Sequence, residues 1–307
     1  MKQIPSFTLD LNTNSLFHVI TSLIFSTFRQ SRKMTRVAVV TGSNKGIGYA
    51  TVKGLADKFN GDVYLTARNP ELGMAAVAEL LETGRKVHFH QLDITDPVSI
   101  RRLKEFMLER YKGIDVLVNN AGIAFKVAST EPLGVQAEVT LKTNYWAVKN
   151  TCDLLFPILK PGARVVNVSS SRGSLTKIPG QELKNKLGSD GLTISELDDL
   201  VTDFVARAKN GTHQEKGWPN SAYIPSKVAL SALTRIQQRE FDADPDSDLV
   251  INHVHPGFVN TDMSSHKGPL SIEEGARSSI FAATLPPLTE VKGKYIWEDC
   301  EIIPWGN

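Results

Sequence analysis

Four apolar residues, Val37-Ala38-Val39-Val40, run directly into Thr41-Gly42-Ser43-Asn44-Lys45-Gly46-Ile47-Gly48 and then into an amphipathic stretch from Ile47 to Phe59. A charge-free, β-branched run of this length suits a parallel strand buried on both faces. The three glycines serve different ends. Gly42 permits the tight turn, Gly46 lets the backbone approach an anion, and Gly48 lets helix pack closely on strand. The helix N-terminus that follows offers N–H donors to a pyrophosphate. A glycine triplet alone is a weak signal. Between a strand and a helix at the head of a domain it constrains the chain to an α/β architecture with a nucleotide crevice at the strand ends.

The rest of the chain keeps that rhythm. Strand-like runs at Val63–Thr66, Val87–Leu92, Val116–Val118, Val165–Val168 and Leu249–Val254 alternate with helical patterns. The helical segments are Met74–Leu81, Ile100–Tyr111, a long stretch from Val135 to Leu159, and Ser226–Phe241. Six or so strands separated by helices predict one doubly wound parallel sheet of Rossmann type, with helices on both faces. One region breaks the rhythm. Arg172–Pro219 inserts Gly-, Lys- and Asp-rich sequence around one helix, Ser195–Lys209, before Tyr223. In such sheets ligands sit beyond the carboxyl ends of the strands, so the insertion is expected to border the site.

Charge narrows the partners. The 35 Lys and Arg against 33 Asp and Glu give a net +2, but residues 1–33 contribute +3 of it. The remaining chain carries −1 and offers no basic excess for nucleic acid. Residues 1–33 are read apart from the domain, which spans 34–307. Their apolar stretch, Leu11–Phe28, is interrupted by Asn12, Asn14, Ser15, His18, Thr21 and Ser22, short of the ~18–20 unbroken residues a membrane span needs. Most of the positive charge follows that stretch, which is the wrong order for a secretory signal. A mitochondrial-type presequence and an unused leader ahead of Met34 both fit. Two cysteines, Cys152 and Cys300, form neither a disulfide framework nor a metal-ligand cluster, so a reducing, cytoplasmic setting is the default. His253 and His255 share a strand face without a third ligand and are read as non-metal residues.

Two further positions carry chemistry. A site for a cofactor with a free ribose 2′-OH usually places an acid about 20 residues beyond the glycine motif. Here that position is Arg68, in Thr66-Ala67-Arg68, and Lys45 in the glycine loop adds a second cation. Two positive charges favour a 2′-phosphate, hence NADP(H). Tyr223 and Lys227 stand four apart at a helix start, on one face. A phenol of pKa about 10 is a poor proton donor at neutral pH, and an adjacent ammonium corrects that.

Together these residues resemble the short-chain dehydrogenase/reductase family, in the branch with the pattern T-G-x-x-x-G-x-G. Within it the chain is most similar to the monomeric animal carbonyl reductases that use NADPH. The resemblance extends from about residue 35 to the end. Asn119-Asn120-Ala121-Gly122 matches the family's N-N-A-G element, which braces the sheet and contacts the adenosine. Asp93-Ile94 matches its adenine-side pair, and Pro256-Gly257-Phe258-Val259-Asn260-Thr261 its nicotinamide-side element. The resemblance implies a cofactor site of Gly42, Ser43, Asn44, Lys45, Gly46, Ile47, Gly48, Arg68, Asp93, Ile94, Asn120, Tyr223, Lys227, Val259 and Thr261. It implies a catalytic set of Asn144, Ser170, Tyr223 and Lys227. Tyr223 would donate a proton to a carbonyl oxygen that Ser170 holds, Lys227 would tune the phenol, and Asn144 would fix a relay water.

The expected activity is NADPH-dependent reduction of ketones, aldehydes and quinones to alcohols. The alternatives are an NADP-dependent alcohol or steroid dehydrogenase of the same family and a non-catalytic NADP-binding protein. The resemblance also implies a monomer, because the insertion lies where other members dimerise. Substrate-side positions are Phe125, Gln136, Ser170, Ser171 and Phe258. Two depart from the usual pattern, with Phe258 in place of a tryptophan and Ser171 in place of an apolar residue. His255 stands close to where the pattern has a cysteine.

Overall fold

The computed structural model describes residues 35–306 apart from residue 127. The readings of residues 1–33 lie outside the described residues. From Arg36 onward the chain forms one compact unit around an eight-stranded sheet in the order β3-β2-β1-β4-β5-β6-β7-β8. The strands are β1 (Val37–Val40), β2 (Asp62–Ala67), β3 (Val87–Gln91), β4 (Ile114–Asn119), β5 (Leu159–Val168), β6 (Val250–Val254), β7 (Tyr295–Ile296) and β8 (Ile302–Ile303). All pairings are parallel except β7 with β8. The strand order reverses between β1 and β4, which opens the crevice where ligands of such sheets bind.

Alternation along β1 divides the core. Val37 and Val39 pack with α3 (Pro97–Tyr111), α5 (Val148–Leu155) and α8 (Tyr223–Phe241) on one face. Ala38 and Val40 pack with α1 (Gly46–Lys58), α2 (Pro70–Glu82) and α9 (Ile272–Ala283) on the other. A strand buried on both faces leaves no room for charge, which is why its sequence has none.

The insertion holds two helices where one was expected: α6 (Gln181–Gly188) and α7 (Ile194–Asn210). With α4 (Leu133–Leu141) and α8 they build a separate apolar cluster that buries Phe204 and Trp218. Helix α7 starts on a capping box, Thr193 with Glu196. Helix α9 was not expected, although its start carries the same signature, Ser271 with Glu274.

The long helix expected over Val135–Leu159 is broken. A π-helical turn, Lys142–Ala147, separates α4 from α5, and a 3₁₀ turn at Phe156–Ile158 ends the run. Such turns inside α-helices are frequent at functional sites. This one carries Asn144.

Candidate active site

The glycine loop is shaped by backbone. Gly42 and Gly46 have φ of +59° and +60°, in the left-handed region that favours glycine. A Cβ on Gly48 would lie 2.4 Å from Asn120 Nδ2 and 2.8 Å from Ser43 Cα, so the close approach requires glycine. Asn120 Nδ2 donates to the carbonyls of Thr41 and Gly42, both at 2.9 Å. Thr41 Oγ1 accepts from the N–H groups of Asn120 and Ala121, each at 3.0 Å. Ser43 Oγ accepts from Thr66 N–H at 3.0 Å, tying the loop to β2. Helix α1 then starts without a side-chain cap or an acid in its first turn, leaving its N–H donors to a ligand. Thr261 reaches this loop: a Cβ on Gly46 would stand 3.4 Å from its Cγ2. Val259 is buried behind it.

Arg68 is exposed just past the end of β2 and has no carboxylate partner among the described residues. Lys45 differs. Its Nζ lies 2.6 Å from Asp262 Oδ2, so one of the two expected cations is already paired. No local pattern in the sequence marks Asp262 for this pairing. Its carboxyl is held below the usual range by Lys45 first and His266 next. Asp93 accepts from both the N–H and the hydroxyl of Thr95 at 2.9 and 2.7 Å, and Ile94 is buried beside it.

The second half of the site gathers at the end of β5 and the start of α8. Ser169 is buried and bonded to Ser231 Oγ at 2.8 Å, so it braces α8. Ser170 is half-buried, and its Oγ accepts from Arg172 N–H at 3.2 Å. That leaves the Ser170 hydroxyl proton free to be donated outward. Lys227 is 5% exposed, and its Nζ donates to the Val168 carbonyl at 2.8 Å. No carboxylate faces it among the described residues, and burial lowers its pKa to about 8. Its Nζ lies 5.7 Å from the centre of the Tyr223 ring. Burial raises the Tyr223 pKa, and the neighbouring Ser170 hydroxyl works in the opposite sense.

Asn144 is buried where the π turn meets the loop after β4. Its Oδ1 accepts from Ile123 N–H at 2.8 Å, while Nδ2 donates to Ile123 O and Ser226 Oγ at 2.9 and 3.1 Å. Both amide protons are therefore committed. A relay water held by this side chain would have to use the remaining lone pair of Oδ1.

The substrate-side positions differ in exposure. Phe258 is 56% exposed on the loop after β6. Phe125 and Ser171 are partly buried, and Gln136 spends its amide on the Glu131 carbonyl at 2.8 Å. His255, a departure from the family pattern, has a clear structural role. Its Nδ1 accepts from Ser171 N–H at 2.9 Å, a contact between the residue that follows β6 and the loop after β5 that no local spacing reveals.

Among known proteins, the short chain dehydrogenase family model matches residues 36–182. Carbonyl reductase 3 (NADPH) of Mus musculus is 47% identical over 265 residues, 85% of this chain and 96% of that protein. Carbonyl reductase 1 (NADPH) of Homo sapiens is 47% identical over 256 residues, 83% of this chain and 92% of that one. Among solved structures, salutaridine reductase of Papaver somniferum superposes with a TM-score of 0.78 at 33% identity, covering 86% of this chain and all of that one.

Proposed function

This chain belongs to the short-chain dehydrogenase family, and on that premise we propose that it is an NADPH-dependent carbonyl reductase. One observation carries the reading at the level of chemistry. The backbone cradle at Gly42–Gly48 opens at the same sheet end as a buried lysine, a tyrosine one helical turn before it and a serine whose Oγ is held by a backbone N–H.

The residues present fit NADPH. The uncapped helix start behind the positive-φ turn of Gly42 and Gly46 leaves N–H donors for a pyrophosphate. Among the described residues, Arg68 has no carboxylate partner to compete with a 2′-phosphate, and Lys227 keeps two N–H donors without partners. Gly46 to Gly48 and Thr261 would hold the pyrophosphate side, Asp93, Ile94 and Asn120 the adenosine side, and Val259 with Lys227 the nicotinamide side. Bound there, NADPH supplies the hydride.

Tyr223 then gives its phenolic proton to the oxygen of a ketone, aldehyde or quinone, completing the alcohol. Ser170 Oγ donates to that same oxygen and keeps it in line with the phenol. Proton donation leaves a phenolate, and burial makes that costly. The Lys227 ammonium offsets the cost, and it carries its charge below about pH 8 in the free protein. Asn144 ties the loop after β4 to α8 through Ile123 and Ser226, holding the floor on which Lys227 stands.

A panel of ketones, aldehydes and quinones followed by NADPH absorbance, with NADH alongside, tests the activity. No turnover with any of them defeats it. Tyr223→Phe should lower kcat by about 10²–10⁴-fold and leave NADPH binding intact. Retention of most activity would remove Tyr223 from the proton-donor role.

We further propose a monomer acting on a small-molecule carbonyl. In support, the insertion helices α6 and α7 cover α4 and α8 with an apolar cluster, leaving that face occupied within the chain. Light scattering at micromolar concentration should return one chain mass. A cytoplasmic location is the companion proposal, in line with a chain of two cysteines that are both free. Fractionating cells that express the full chain or a Met34-start form tests it, and an organellar pool unique to the full chain would favour a presequence.

A further inference from the structure

The peptide unit joining Ser170 to Ser171 is gripped from both sides by side chains of neighbouring strands. Its carbonyl accepts from the Tyr295 hydroxyl at 2.5 Å, and its N–H donates to His255 Nδ1 at 2.9 Å. Nδ1 also accepts from Gly257 N–H at 3.3 Å. A ring nitrogen that accepts from backbone amides must carry a lone pair, so His255 is protonated on Nε2. Nε2 faces Glu298 Oε2 at 3.2 Å, a buried oxygen with no other partner among the described residues.

Both side chains are held in turn. Tyr295 is 2% exposed and stacks on His253 with 4.7 Å between ring centres and 7° between planes. His255 is 6% exposed and packs against the Trp297 ring at 4.3 Å. Tyr295 and Trp297 meet at near right angles. The result is a rigid aromatic block on β6 and β7, bearing on one peptide of the loop after β5.

We propose that His255 and Tyr295 are positioning residues that fix the Ser170–Ser171 peptide plane and, through it, the direction in which the Ser170 hydroxyl proton points. The inference rests on the reading of Ser170 as the group that holds the carbonyl oxygen. The link is short. Ser170 Oγ accepts from Arg172 N–H, two residues on, and turning the intervening peptide would carry that N–H away from Oγ. With the peptide clamped on both its polar atoms, the serine donor is set before substrate arrives, and a preset donor needs no reorganisation during the reaction. Neither residue need touch the substrate to do this.

The test compares His255→Leu, His255→Asn, Tyr295→Phe and Ser170→Ala, using the best carbonyl substrate of the panel at saturating NADPH. Leucine removes the acceptor. Asparagine restores one, because its Oδ1 falls where Nδ1 stood. His255→Leu and Tyr295→Phe should each lower kcat, by up to about 100-fold, the scale expected of an ångström-level misplacement. NADPH affinity, read by fluorescence titration, should stay unchanged in Tyr295→Phe, which leaves the Gly257 contact of His255 in place, and His255→Asn should recover kcat to within about threefold.

Parental kcat in His255→Leu overturns the proposal, and so does a His255→Asn variant as slow as His255→Leu. Should the leucine variant fail to fold, Tyr295→Phe decides: it removes one hydroxyl from an intact ring, and parental kcat there overturns the clamp. Ser170→Ala separates the two readings. High activity in it defeats the role of Ser170 itself, whereas an inactive Ser170→Ala beside a fully active His255→Leu defeats only the clamp.

Discussion

The two halves of the cleft are built from different materials. On the β1–β4 side the determinants are backbone: positive φ at Gly42 and Gly46, and a Cβ-free approach at Gly48. The charged side chains there, Lys45 and Arg68, are exposed. On the β5–β7 side the determinants are side chains removed from water, among them Lys227, His255 and Tyr295, each 6% exposed or less. A ligand in the first half would be held through geometry, with weak dependence on pH. Desolvation shifts the ionisable groups of the second half, so its chemistry depends on pH strongly.

The largest effect that could break this comparison is steric. Gly48→Ala drives a Cβ into Asn120 and the Ser43 backbone. Relieving about 1–3 kcal/mol of overpacking displaces the loop, and the same free energy lost from the bound form is roughly 5- to 150-fold weaker NADPH binding. Titration should show that loss, and an alanine variant with parental affinity would mean the cradle is not limited by backbone.

The next effect belongs to the other half. Burial lowers the His253 pKa to about 3, against about 6.5 unfolded. The unfolded chain therefore takes up the proton first, and stability falls as pH drops from about 6.5 towards 3. The slope is about 1.4 kcal/mol per pH unit from this residue. Stabilities from urea unfolding at pH 7.0 and 5.5 should differ by about 1.3 kcal/mol on account of His253, and His253→Phe should remove that share while keeping the stack on Tyr295. The share of His255, lowered in the same sense, stays. An equal acid loss in both proteins would clear His253.

Lys227 gives the kinetic counterpart. With a pKa of about 8, its charge is full below that pH and lost above it, and the proposed support of the Tyr223 phenolate would follow that charge. The free-enzyme profile of kcat/KM should fall above about pH 8, approaching tenfold per unit. A profile flat to pH 10 would deny Lys227 that role.

The smallest effect returns to the exposed half. Asp262→Asn releases Lys45 and should tighten NADPH by no more than about fivefold, leaving NADH unaffected, because exposed ion pairs are weak. A larger gain would show that the loop charges matter as much as its backbone.

Much of this molecule was legible in order along the chain. The strand–glycine–helix unit at Val37–Phe59, the alternation that follows and the Tyr223–Lys227 pair are local patterns, set by pleat, helix repeat and the steric needs of a turn. The α9 start is equally local and still escapes notice, since Ser271-x-x-Glu274 is a short signature. The π turn at Asn144 was not legible, because its residues are ordinary helix formers and only contacts with Ile123 and Ser226 draw Asn144 inward.

What the sequence by itself determined is the order of strands and helices, the glycine cradle and the residue types able to move a hydride and a proton. Tertiary structure alone decided which charges stay free and which backbone groups are held. Asp262 meets Lys45 across 217 positions, and Tyr295 reaches the Ser170 carbonyl across 125. Burial, which sets the protonation of Lys227, His253 and His255, is likewise a property of the packed sheet and its neighbours. Periodicity is written between adjacent residues, whereas pairing and desolvation arise only when distant segments exclude water together.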